Sequence, residues 1–154
     1  MKKYTSLPLL SLITHSLFVG GCTVILFVLV PFWQKIAAED FLTWFSLNSK
    51  SVGLTMLPLE AVPLIISIST YIIAYKQRLT TQNIWLATLI CNVIILIMFF
   101  AYFMPANAAM ASKNIPIEHV AGELKRWEII HSLRTFLAIL AILFCGLAMR
   151  KEQK

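Results

Sequence analysis

Apolar positions along this chain gather into four long stretches, Leu7–Phe32, Val52–Tyr75, Ile84–Met104 and Ile129–Met149, and the segments between them hold most of the charge. Crossing a hydrocarbon core of about 30 Å takes about 20 residues of helix, and each stretch is long enough. The pattern predicts an all-α membrane protein, a four-helix transmembrane bundle of up-down topology, with residues 1–154 as one membrane domain. Composition points the same way: 59% of residues are hydrophobic and 13% are charged, a balance that excludes a soluble domain and leaves a lipid bilayer as the expected surroundings.

The first stretch follows Lys2 and Lys3 in the manner of a signal peptide, and Val19-Gly20-Gly21-Cys22 has the look of a lipoprotein cleavage site. A secretory apolar core runs to about 7–15 residues, whereas this one continues through Thr23 to Val30, so an uncleaved first helix is expected. Cys22, Cys91 and Cys145 each fall within a predicted span without a CxxC pair, which marks them as free, buried packing residues.

Charge then orients the bundle. Lys2, Lys3, Lys76, Arg78, Arg150, Lys151 and Lys154 lie on the side of the termini, against Lys35, Lys50, Lys113, Lys125 and Arg126 on the other, where Glu39, Asp40, Glu118, Glu123 and Glu128 balance them. The excess of Lys and Arg predicts cytoplasmic N- and C-termini in a multi-pass protein of the plasma membrane. The net charge of +6 is therefore a topology signal, with no footprint for nucleic acid. Of the two longer connections, Trp33 to Ser51 carries Trp33, Phe41, Trp44 and Phe45, read as an aromatic belt at the headgroup level in preference to a short interfacial helix. Pro105 to Glu128 is expected to start as a loop and to join the fourth helix near Glu118. No internal repeat is visible, so an inverted-repeat transporter is not supported.

Polar residues inside the spans are the candidates for chemistry. Glu60 lies between Pro58 and Pro63, and each proline removes a backbone N–H and frees the carbonyl four residues back, on Leu54 and Leu59. An ionisable group at membrane depth costs about 2.5–3.5 kcal/mol on insertion scales, so Glu60 must face a partner or a site. At the helical rise Glu60 sits about 12 Å below the outer boundary, with His131 at about 6 Å and Arg134 at about 10 Å below Trp127. Trp127, His131 and Arg134 are spaced i, i+4, i+7 and share one helix face, continued by Ala138 and Ala141. Two readings stay open for Glu60 and Arg134: an ion pair that fixes helix register, or a working site with His131 and Asn107. His15 and Asn92 lie about 12 Å from the other boundary, so a metal shared by His15 and His131 needs strong tilt or a kink at Gly20-Gly21, and the plainer expectation is that His15 and Asn92 bond each other. No metal site and no cofactor are predicted.

Pro105-Ala106-Asn107, followed after a polar loop by Leu124-Lys125-Arg126-Trp127-Glu128-Ile129-Ile130-His131-Ser132-Leu133-Arg134-Thr135, resembles the C-terminal half of the anthrone oxygenase family of small four-helix membrane proteins. Gly20-Gly21 leading to Pro31-Phe32-Trp33 looks like that family's start, so the resemblance covers nearly the whole chain. Members are described as oxidising polycyclic anthrones to anthraquinones without an established cofactor. The resemblance carries over to Asn107, Trp127, His131 and Arg134, and implies a lipophilic phenolic or polyketide-like substrate that loses a proton and meets O₂. In that scheme His131 is the base, Arg134 holds the oxyanion, Glu60 orients one of them, and Trp127 with Asn107 binds the ring. The alternatives are a proton-coupled transporter of hydrophobic molecules working through Glu60 and a non-enzymatic small membrane protein. The expected partners are a hydrophobic small molecule and further copies of the chain in a homo-oligomer.

Overall fold

The computed structural model describes residues 6–152, so Lys2, Lys3 and Lys154 of the charge count lie outside the described residues. Four helices account for nearly all of it: α1 (Ser6–Lys35), α2 (Ala38–Lys76), α3 (Gln82–Ala111) and α4 (Ile117–Glu152), each long and apolar enough to cross a membrane. Among the described residues there is no strand. α1 packs on α2 and α4, and α3 packs on the same two, which leaves α2 and α4 facing each other across the bundle's diagonal. Connections are tight. After α2 and after α3 the chain turns through a left-handed residue, Arg78 (φ 51°) and Lys113 (φ 57°), and Leu79 N and Asn114 N donate back to the carbonyls of Ala74 and Ala109. Both are Schellman-type stops in which a side chain stands where glycine is favoured.

With 39 residues α2 is about 58 Å long, well beyond a hydrocarbon core of about 30 Å. The excess lies at the end remote from the termini, called distal below. There α2 begins at Ala38, ahead of the expected Val52, and α4 begins at Ile117, ahead of Ile129 and next to Glu118, where the loop was expected to join it. An apolar run marks only the stretch of a helix facing lipid, whereas the helix itself continues as long as its backbone stays paired. Glu39 and Asp40 in the first turn of α2 favour that continuation at the positive end of the helix dipole. Three of the four aromatic residues of this segment face the bundle interior, not outward as the residues of a belt would. Trp33, Phe41 and Phe45 are buried and stack with Trp44 and Trp127 into a plug between the distal ends of the helices, with ring centroids of Trp33 5.4–5.9 Å from the other four.

Proline is handled in two ways. Pro58 and Pro63 are carried inside α2, which runs through them as one helix. In α1 and α3 a π-helical turn, Ile25–Leu29 and Phe99–Phe103, comes immediately before Val30-Pro31 and Met104-Pro105. A proline ring crowds the carbonyl four residues back, here Phe27 and Ala101, and both of these lie in the widened turn. The π-turns thus let α1 and α3 continue past a proline at matching ends of the bundle, and they turn Ile25, Phe99 and Phe103 inward.

The outward surface is apolar, with Leu17, Phe27, Ile65, Leu133 and Phe136 all more than half exposed, as suits a multi-pass protein in a bilayer. Lipid gives helices no hydrophobic reason to associate, so close packing and interhelical hydrogen bonds hold the bundle. Ala138, Ala141, Cys145 and Ala148 make a buried stripe of small residues down α4. Gly21 brings α1 against α2 so closely that a Cβ there would stand 2.9 Å from Met56 Sδ. Towards the termini a polar cluster joins all four helices. His15 Nδ1–H donates to the Ser11 carbonyl at 2.7 Å, which leaves Nε2 to accept from Asn92 Nδ2 at 2.9 Å. Asn92 also reaches Ser67 Oγ and the Thr88 carbonyl, and Ser11 Oγ lies 3.3 Å from Cys145 Sγ. His15 and Asn92 therefore pair as their depths predicted. All three cysteines are free and buried.

Candidate functional site

A cavity of about 450 Å³ lies in the distal half of the bundle, between α2 and α3. Its α3 wall is the face running from Asn92 through Leu96, Phe99 and Phe103 to Asn107, and its α2 wall runs from Ser49 to Ile65. The aromatic plug lines it at the distal end through Trp33, Phe45 and Trp127, while Asn92 of the polar cluster lines the opposite end. One side remains open. Leu54, Leu57, Ile65 and Phe100 border the cavity and are each more than half exposed on the apolar outer surface, and exposed Lys50 and Gly53 border it further along α2, so the opening runs from the apolar surface up to a charged residue.

Glu60 and Arg134 reach this cavity from opposite helices. Glu60 Oε2 lies 3.6 Å from Arg134 Nη1 across the α2–α4 diagonal, with the two side chains 13% and 6% exposed. Arg134 is held on further sides: Nη2 donates to His131 Nδ1 at 3.0 Å, and its guanidinium carbon stands 4.2 Å from the centre of the Phe103 ring. His131 in turn approaches the Cys22 carbonyl through Nε2 at 3.0 Å. A carbonyl only accepts and a guanidinium only donates, so His131 is fixed as the neutral tautomer with its proton on Nε2. Trp127 stacks on that imidazole, 4.7 Å between centroids and 19° between planes, and its Nε1–H donates to Asn107 Oδ1 at 3.0 Å.

The residues expected from the sequence are thus in one place. Glu60, Asn107, Trp127 and Arg134 line the cavity, and His131 stands directly behind Arg134 and Trp127. Their connections differ from the expected roles. His131 has both ring nitrogens committed and could take a proton only by giving up Arg134, so its place is to aim the guanidinium. Trp127 spends one face on His131 and its N–H on Asn107. Glu60 through Oε1 and Arg134 through Nε keep capacity to spare.

That capacity is visible in the unpaired atoms. Among the described residues three buried side-chain polar atoms have no hydrogen-bond partner, Glu60 Oε1, Arg134 Nε and Trp33 Nε1, and all three residues line this cavity. Leaving a buried donor or acceptor unpaired costs about 1–3 kcal/mol, so the unpaired atoms of Glu60 and Arg134 make this cavity a candidate place for water or for polar atoms of another molecule, while Trp33 also borders a second, smaller cavity beside Val120 and Leu124. Phe103 escaped the sequence reading, and Trp33 entered it as a belt residue and as part of Pro31-Phe32-Trp33, without a place in the site. The only trace of such a place is an aromatic residue two positions from Pro31 and two from Pro105, beside the π-turns.

Among the described residues no three His, Cys, Asp or Glu side chains group as metal ligands. Comparison with protein-family models, curated proteins and solved structures gives no match to the chain. The site must be argued from its own chemistry. It joins a carboxylate with a free oxygen, a guanidinium fixed by a histidine and an aromatic face, and an apolar chamber open to lipid; such a set can remove a proton from a ring substrate and hold the resulting anion.

Proposed function

We propose that the chain is an anthrone oxygenase-like membrane enzyme that takes a lipophilic phenolic or polyketide-like ring molecule from the bilayer, deprotonates it in the distal cavity and exposes the anion to O₂. The observation carrying this reading is a largely apolar cavity that holds Glu60 beside Arg134, each with a buried polar atom left unpaired. Glu60 acts as the base in place of His131, whose nitrogens are occupied. Arg134 holds the negative charge on the ring oxygen, and Asn107 and Trp127 keep His131 stacked behind it. Two electrons of the carbanion pass to O₂ to form a carbon–oxygen bond, and loss of water leaves a carbonyl, so a ring CH₂ and one O₂ give C=O and H₂O. No cofactor is invoked.

In this reading the distal end is extracytoplasmic, both termini are cytoplasmic and the protein resides in the plasma membrane, alone or as a homo-oligomer. The test is oxygen consumption by purified protein with anthrone-type substrates. Glu60→Gln should lower the rate by at least about 100-fold, the ordinary contribution of a positioned base. Activity that survives in Glu60→Gln overturns the assignment of the base. Failure of every ring substrate, together with Glu60-dependent, pH-coupled uptake into vesicles, would replace the enzyme by a proton-coupled transporter.

A further inference from the structure

We infer that the cavity takes an anionic amphiphile, a ring molecule whose apolar body fills the chamber while a carboxylate or other single negative charge stays at the mouth against Lys50. The inference rests on reading the cavity as a substrate site and adds the class of molecule. Its basis is the charge of the lining. Lys50, Glu60 and Arg134 are the charged residues around the cavity. Glu60 and Arg134 offset each other as an ion pair, whereas Lys50 has no ion pair or hydrogen bond among the described residues. One positive charge is left over at the opening of an otherwise apolar chamber, and the molecule that complements it carries one negative charge.

The facing helix brings a donor to the same level. α2 and α3 run antiparallel and are tied at two heights, where Asn92 Nδ2 donates to Ser67 Oγ at 3.2 Å and Lys113 Nζ to Thr43 Oγ1 at 3.0 Å. Fifteen residues from the first tie, Asn107 comes opposite Val52; six residues from the second, it comes opposite Ser49. Asn107 therefore shares the level of Ser49 to Val52, and Ser49, Lys50, Val52 and Asn107 all line the cavity. Asn107 gives Oδ1 to Trp127, which leaves Nδ2 free to donate beside the Lys50 ammonium, an arrangement suited to an anion. The membrane imposes the same order. Lys50 precedes Lys76 by 26 residues of α2, about 39 Å of helix, so the opening climbs from a hydrocarbon core of about 30 Å to the level of the headgroups. An anionic amphiphile rests in a leaflet in that order, body in hydrocarbon and charge among the headgroups, and enters sideways without drawing its charge through the core. A lipid acyl chain entering there would bring no polar atom to Glu60 Oε1 and Arg134 Nε, whereas a ring bearing an oxygen does.

Intrinsic fluorescence reads binding directly, since Trp33, Trp44 and Trp127 line the cavity. Protein in phosphatidylcholine nanodiscs is titrated anaerobically with anthrone-2-carboxylate, which keeps the ring CH₂ of the proposed reaction, and with its neutral methyl ester, each corrected against empty discs. Lys50 is exposed, so exchanging it leaves the packing intact. Lys50→Gln should weaken the carboxylate about three- to fivefold, the worth of one exposed ion pair, and Lys50→Glu should weaken it at least about tenfold, while Lys50→Arg retains it. The ester should keep its affinity in all three variants. Raising salt from about 20 mM to about 500 mM should weaken the carboxylate in the unaltered protein and leave Lys50→Gln unchanged. No saturable binding of the carboxylate, unchanged affinity for it in Lys50→Glu, or equal weakening of acid and ester overturns the anionic mouth. Displacement of both probes by phosphatidylglycerol added to the discs, abolished by Lys50→Glu, would give the mouth to a lipid headgroup and overturn it as well. Oxygen consumption with anthrone itself, combined with carboxylate binding indifferent to Lys50→Glu, defeats this inference and leaves the proposed function standing. Lys50-dependent binding of the carboxylate without oxygen consumption by any ring substrate does the reverse.

Discussion

Replacing Arg134 by Leu should destabilise the bundle more than replacing Arg134 and Glu60 together. At 3.6 Å and an effective dielectric constant of about 20, the two charges attract by about 4–5 kcal/mol. Desolvation consumes much of this, so the intact pair is worth less than that figure, yet either charge left alone keeps its desolvation cost without the attraction. Losing one partner of a buried pair costs about 3–5 kcal/mol, and Arg134→Leu also removes the donor to His131 Nδ1. Glu60→Leu is milder, because Arg134 retains His131 and the face of Phe103. The double variant removes both stranded charges, and the expected coupling between the two sites is about 2–3 kcal/mol. Reversible unfolding in mixed micelles, followed by helical circular dichroism on the four proteins of the cycle, measures it. A coupling below about 0.5 kcal/mol, within the scatter of independent sites, would refute the claim that these charges depend on each other.

Asn92→Leu should cost about 1–3 kcal/mol in the same assay by leaving His15 Nε2 unpaired in the buried cluster, and His15→Leu together with Asn92→Leu should cost less than the sum of the two. Arg78→Gly should raise stability by up to about 1 kcal/mol, because the left-handed conformation at φ 51° strains a residue with a Cβ; a loss of stability would show that the Arg78 side chain has a role in the turn. Alkaline phosphatase fused after Lys113 should be active and fused after Arg78 inactive, and the opposite result would invert the topology.

Helix class, number of spans and the identity of the polar candidates were legible because a bilayer imposes them one segment at a time: about 20 apolar residues make a crossing, and any charge inside one is conspicuous. Depth was legible for the same reason, since rise per residue is constant, and it brought Glu60 level with Arg134 and His15 level with Asn92 before any contact was known. Helix ends were not, because Ala38–Ser51 looks like a connection until Phe41 and Phe45 are seen buried against Trp33. Roles were not legible either. His131 appears in the sequence as an available base, and only the approach of Cys22 from α1 and of Arg134 along α4 shows both nitrogens taken. The cavity, its opening to lipid and the unpaired Trp33 depend on how far α2 and α3 stand apart, and that separation follows from packing among all four helices and from the two π-turns. A sequence fixes what each segment must bury or expose; which buried group is left with spare capacity is decided when segments meet, because a hydrogen-bonding partner is a property of two places in the chain at once.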